Sequence, residues 1–119
     1  MIVLPNTDIT DWDKYTLYCR LIDFYKYHKK RKYFTETHHI IPKCLGGSDD
    51  YKNLVNLPLN IHFKAHYLLS RCTSSYSLFL AFQRMSSTDF IEDLTPELVN
   101  EYVVKRTLFL VNKQKSYVK

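Results

Sequence analysis

Glu36-Thr37-His38-His39-Ile40-Ile41-Pro42-Lys43-Cys44-Leu45-Gly46-Gly47, then Asn53-Leu54-Val55, then His62-Phe63-Lys64-Ala65-His66: these three pieces carry four of the five histidines in the chain. Tyr, Phe, Thr and Ile across residues 33–41 suit a β-strand. Pro42 and the Gly46-Gly47 pair end it and open a loop, which Asp49, Asp50 and Asn53 continue. Leu54, Val55 and Leu57 make a short second strand, and Pro58 precedes a helix over about residues 59–72. On such a helix His62 and His66, spaced i and i+4, share one face. That is a metal-ligand spacing, and also one that structural histidines adopt. His38 and His39 are consecutive on a strand, so their side chains leave opposite faces and should have different jobs. One can face a metal while the other faces a substrate. Glu36 falls on the side of His38 by the same alternation. It either orients His38 from behind, as a hydrogen-bonding partner, or is an exposed strand carboxylate.

Outward from this centre the pattern is helical. Residues 1–9 read as an arm or a short edge strand. Thr10 is a candidate N-cap, with Asp11 and Asp13 suited to the positive end of a helix. Trp12, Tyr15, Cys19, Ile22 and Tyr25 recur at helical spacing, predicting a helix that runs to about Lys29. Beyond the centre, helices are expected near residues 75–86 and 96–112. The last has a marked start: Thr95 as N-cap, Pro96 in the first helical position and Glu97 in the first turn. There is no internal repeat and no low-complexity segment. The expectation is a single small α+β domain over residues 1–119: a basic helical segment (1–33), a strand-loop-strand-helix core (34–72) and C-terminal helices (73–119).

Composition bounds the function. A chain of 119 residues, 45% hydrophobic and 24% charged, is an ordinary globular composition with room for one modest core. No run approaches the roughly 20 apolar residues of a membrane span. The N-terminal stretch Met1–Asp13 lacks the basic start and apolar run of a secretory signal. Cys19, Cys44 and Cys72 are odd in number, with no C-x-x-C pair, which argues against a thiolate zinc knuckle and for reduced thiols in a cytoplasm. The formal net charge is +5, a mild footprint for a polyanionic partner. Lys26, Lys29, Lys30, Arg31 and Lys32 concentrate it, with Tyr25, Tyr27 and Tyr33 interleaved. Two readings of that run stay open: a solvated helix end, or a patch that contacts phosphates and releases counterions.

Taken together, the three opening pieces resemble the HNH motif of ββα-metal endonucleases. That family takes its name from a His closing the first strand, an Asn in the loop before the second, and a His on the helix; here these are His39, Asn53 and His62. His66 one turn on resembles colicin-type DNases, and the phrase as a whole is most similar to phage-encoded free-standing HNH homing endonucleases. The resemblance covers residues 36–66. It implies an α+β fold with a ββα-metal core, and a metal-dependent DNA endonuclease that leaves 5′-phosphate and 3′-hydroxyl ends. It also implies that His39 is the general base, that Asn53 pins the loop so the base is aimed, and that His38, His62 and His66 hold one divalent ion (Mg, Mn, Zn or Ni).

The chemistry accounts for these residue types. A divalent ion neutralises the phosphodiester charge and stabilises the leaving oxygen, and a histidine can take a proton from water near neutral pH. Three imidazoles suit Zn, Ni, Co or Mn better than Mg. The expected partner is DNA and no membrane, the expected state a monomer or homodimer, and the expected location the cytoplasm, of the host cell if the protein is phage-encoded. The competing reading is an HNH-fold DNA-binding or regulatory module without activity; the intact set His38, His39, Asn53, His62 and His66 argues against it. Any sequence specificity would have to come from residues 1–33 and 73–119, where no helix-turn-helix or zinc finger stands.

Overall fold

Helix α1 (Trp12–Tyr27) starts from Asp11, not from Thr10. Asp11 adopts the extended N-cap conformation (φ −142°, ψ 99°), and its carboxylate accepts from the Lys14 amide at 3.0 Å. Thr10 is committed elsewhere: its amide donates to the Cys72 carbonyl at 2.8 Å, and Ile9 makes a single antiparallel bridge to Thr73. The N-terminal arm is thereby tied to the end of a later helix, and the helical turn can begin only after it. The computed structural model describes residues 2–28, 34–86 and 93–117. Within them α1 ends at Tyr27, short of the expected Lys29, with His28 as the cap. Its ring lies flat on Phe24 at 4.2 Å between centroids, and its amide bonds the Phe24 carbonyl. Tyr15, Tyr18, Cys19 and Ile22 form the buried stripe; Trp12, assigned to it from spacing, is 64% exposed and meets only the edge of Tyr15.

Strand β1 (Thr35–His39) pairs antiparallel with β2 (Leu54–Pro58), with His38 opposite Val55 and Glu36 opposite Leu57. Two strands alone are marginal in water. These two are held because Val55 and Leu57 are buried with Tyr18, Ile22, Ala65 and Leu69. The connection is built tightly. Ile40 donates to the Asn53 carbonyl at 2.8 Å, and a 3₁₀ turn occupies Lys43–Leu45. Gly46 then turns the chain at φ 97°, where side chains are strained. At Gly47 any Cβ would collide with the Ile41 carbonyl, so only glycine lets the two backbones approach.

Helix α2 (Leu59–Cys72) is the centre of the molecule. It buries Leu59, Phe63, Ala65, Tyr67, Leu69 and Cys72, residues on more than one side. One side meets α1 and the strands. The other meets α3 (Tyr76–Met85) and α4 (Pro96–Tyr117) in a second cluster of Phe63, Tyr67 and Phe82, against which Leu98, Val99 and Tyr102 pack. Thr95 caps α4 as expected, its hydroxyl accepting from the Leu98 amide at 3.2 Å, but the helix continues past residue 112 to Tyr117. The architecture is α+β, and β1, β2 and α2 follow one another in the ββα order. Among the described residues no helix is long and apolar enough to cross a membrane, and Cys19, Cys44 and Cys72 are free thiols.

Candidate active site

Strand alternation and helical periodicity bring three imidazoles together. His38 turns inward from β1, while His62 and His66 face it from successive turns of α2. One nitrogen of each lies within 4.8 Å of the others. His62 Nε2 and His66 Nε2 are 3.2 Å apart. His38 is 2% exposed, and its Nδ1 is buried with no hydrogen-bond partner. Burial, with the neighbouring imidazoles adding to it, holds His38 well below the ordinary histidine range, and burial brings His66 down to about 3. Both rings are therefore neutral near pH 7, the form in which imidazole ligates metals.

The side chains behind these rings differ from the sequence expectation. Glu36 does share the face of His38, but its carboxylate reaches His62, whose Nδ1 donates to Oε1 at 3.3 Å. The reason lies in α4: the Tyr102 hydroxyl donates to Oε1 at 2.7 Å and Arg106 Nε to Oε2 at 2.7 Å, drawing the carboxylate toward that helix. Burial alone would raise the Glu36 carboxyl, but the bonds from His62, Tyr102 and Arg106 outweigh it and hold it down at about 2. His38 is backed instead by Tyr18, which is fully buried. The Tyr18 hydroxyl lies 2.7 Å from His38 Nε2 and donates to the Ile40 carbonyl at 2.7 Å. A cleft of about 590 Å³ opens onto this group between α2, α3 and α4, lined among others by Glu36, His62, His66, Arg84, Tyr102 and Lys105.

His39 leaves β1 on the other side. Its Nε2 donates to Asp49 Oδ1 at 2.8 Å, and the same carboxylate takes Lys43 Nζ at 3.2 Å. The hydrogen bond from His39, followed by that from Lys43, lowers the Asp49 carboxyl below its usual value. Asn53 holds the loop beneath. Its Oδ1 accepts from the Ile41 amide at 2.8 Å, and its Nδ2 donates to the carbonyls of Ile41 (3.0 Å) and Ser48 (2.8 Å).

The basic run divides. Lys26 points at the backbone of the 51–54 segment, and its ammonium donates to the carbonyls of Leu54 (2.8 Å), Tyr51 (3.2 Å) and Lys52 (3.3 Å). Lys29, Lys30, Arg31 and Lys32 lie outside the described residues.

Four residues around the site were not singled out from sequence. Tyr18 stands three positions after Tyr15 and four before Ile22, so the stripe should have included it, and a buried phenol needs a polar partner. Asp49 is a loop carboxylate ten residues from His39, with no periodic signal. Tyr102 and Arg106 share a helix face, but nothing local says that this face meets Glu36.

A metal ion fits the inward group. Two ligands at about 2.0–2.1 Å from a tetrahedral ion are about 3.3 Å apart, close to the 3.2 Å between His62 and His66. The orphaned Nδ1 of His38 supplies a third lone pair in a neutral, buried ring. His38, His62 and His66 would hold the ion.

Comparison with known proteins points the same way. Residues 22–66 match the family model described as HNH endonuclease. The chain is 52% identical over 52 residues to probable mobile endonuclease E of Enterobacteria phage T4, covering 44% of this chain and 37% of that protein. Probable mobile endonuclease B of the same phage is 53% identical over 53 residues, covering 44% of this chain and 20% of that protein. For probable mobile endonuclease D the identity is 55% over 42 residues, with coverage of 35% and 16%. The matched part thus spans little more than a third of the longest-covered of these relatives. No solved structure matches the chain.

Proposed function

We propose that this chain, which carries an HNH endonuclease domain at residues 22–66, hydrolyses phosphodiester bonds in DNA. The observation that carries the reading is the division of labour across β1. A buried, neutral triad of His38, His62 and His66 lies on one face, and His39, hydrogen-bonded to Asp49, lies on the other. A divalent ion held by His38, His62 and His66 would supply positive charge to the scissile phosphate and to the leaving 3′ oxygen. Three imidazoles favour Zn, Ni or Mn over Mg as that ion. The Asp49 carboxylate accepts a proton-bearing Nε2 from His39, which leaves His39 Nδ1 with a lone pair to take a proton from water. Asn53 fixes the loop that carries both partners, and Gly47 lets that loop fold against Ile41. The T4 relatives are named as mobile endonucleases, which favours a phage-type homing endonuclease or nickase over a nonspecific toxin.

The test is supercoiled plasmid incubated with protein and Mn or Mg. One centre per chain should cut one strand per encounter, so open circles should precede linear DNA, with 5′-phosphate and 3′-hydroxyl ends. Linear product without a nicked intermediate would mean paired action by two chains. Retained DNA binding without cleavage in any of Mg, Mn, Zn or Ni would favour the inactive regulatory module.

A further inference from the structure

We propose that Tyr18 is a positioning residue that fixes the tautomer of His38, so that His38 binds the metal through Nδ1 while His62 binds through Nε2. The proposal rests on the metal reading above and adds a residue outside the motif to it.

The argument is a count of protons. The Tyr18 hydroxyl has one, and it faces two neighbours at the same 2.7 Å: the Ile40 carbonyl and His38 Nε2. A carbonyl can only accept, so the phenol proton goes to Ile40. The second contact is then a hydrogen bond only if His38 Nε2 carries the proton and donates to the phenol oxygen. In a neutral imidazole that leaves Nδ1 as a bare lone pair. Nδ1 is the nitrogen that is buried without a partner. The opposite tautomer would turn the phenol proton toward Nε2, strip the Ile40 carbonyl of this donor and bury an N–H at Nδ1 with nothing to receive it. Buried polar groups are rarely left in that state.

The same count gives the ring of His62. Glu36, held as a carboxylate by Tyr102 and Arg106, can only accept, so His62 Nδ1 is the proton-bearing nitrogen and Nε2 the free one. His66 presents Nε2 to His62 Nε2 at 3.2 Å, while its Nδ1 has no partner among the described residues. Two of the three ligands are thus oriented from behind, one by a phenol and one by a carboxylate. Such partners raise ligand basicity and set ring orientation. Tyr18 is also rigidly placed, fully buried in the α1 stripe among Cys19, Ile22 and Leu69.

Nitrogen-15 NMR of histidine-labelled protein reads the tautomers directly, and calorimetry with zinc reads the consequence. In metal-free protein His38 should carry its proton on Nε2. On zinc addition its Nδ1 should show the coordination shift, with Nε2 shifting instead for His62. Tyr18→Phe keeps the ring and removes the oxygen; zinc affinity should fall about 10- to 100-fold, and His38 should lose its single tautomer. A proton on His38 Nδ1 in metal-free wild-type protein, or zinc on its Nε2, overturns the assignment even if Tyr18→Phe fails to fold. Unchanged zinc affinity in a folded Tyr18→Phe overturns it as well. If wild-type protein shows the Nε2–H tautomer but takes up neither zinc nor manganese, the metal reading has failed and the tautomer lock stands.

Discussion

His38 and His39 are neighbours in the chain and strangers in the site, because a strand sends consecutive side chains to opposite faces. Their replacements should therefore fail differently. His39→Ala removes the proposed base, and turnover should drop about 10²- to 10⁴-fold, with metal and DNA affinity unchanged. His38→Ala removes a proposed ligand, so the defect should appear in metal titration and be partly rescued by excess metal. Single-turnover cleavage against metal concentration, with calorimetry beside it, separates the two. Wild-type turnover in His39→Ala at saturating metal would remove His39 as the base. The split was legible in the sequence because alternation is a local rule. The partner of Glu36 was not. Its face followed from the same rule, but its direction is set by Tyr102 and Arg106, 66 and 70 residues away, and no local pattern reaches that far.

At the scale of elements, most boundaries could be read because single residues mark them: Pro58 before α2, Thr95-Pro96 at the head of α4, Gly46 after the 3₁₀ turn. The start of α1 could not. Thr10 and Asp11 are both good caps, and the choice fell to Asp11 because the Thr10 amide is bonded to Cys72. Helix α4 lies outside the matched segment yet reaches the site through Tyr102 and Arg106. The Tyr102 ring stacks on Phe63 at 4.7 Å between centroids, and its hydroxyl holds Glu36. These contributions can be separated. Tyr102→Phe keeps the stack and loses one charge-assisted hydrogen bond, a cost of about 1–2 kcal/mol. Tyr102→Ala loses both, and because the residue is only partly buried the cost should be about 2–3 kcal/mol, at or below the low end of the range for a fully buried aromatic. Urea unfolding measures both. If the two variants unfold at the same midpoint, the stack contributes nothing and α4 is held by its other neighbours.

Across the whole molecule the question is how a chain of net charge +5 would hold a polyanion. Five cations fall between residues 26 and 32, and the structure gives the first of them a different occupation. Lys26 is bound to three carbonyls of the segment that closes the loop and starts β2. A lysine so engaged keeps its charge but has its donors occupied by carbonyls, whereas Lys29, Lys30 and Arg31 follow the end of α1 at Tyr27. Two variants should then part company. Lys26→Ala should lower stability by about 1 kcal/mol, given that the interaction is partly solvated, and leave the salt dependence of DNA binding almost unchanged. Replacing Lys29, Lys30 and Arg31 together with Ala should do the reverse. Stability should hold, while affinity should fall for all DNA sequences alike. The slope of log affinity against log salt should flatten by about 0.9 for each phosphate that the variant no longer neutralises. Binding of unrelated duplexes between low and moderate salt gives the slope, and a urea titration gives the stability. An unchanged slope in the triple variant would make the run a solvated helix end. A flattened slope in Lys26→Ala would mean that its ammonium leaves the loop when DNA binds.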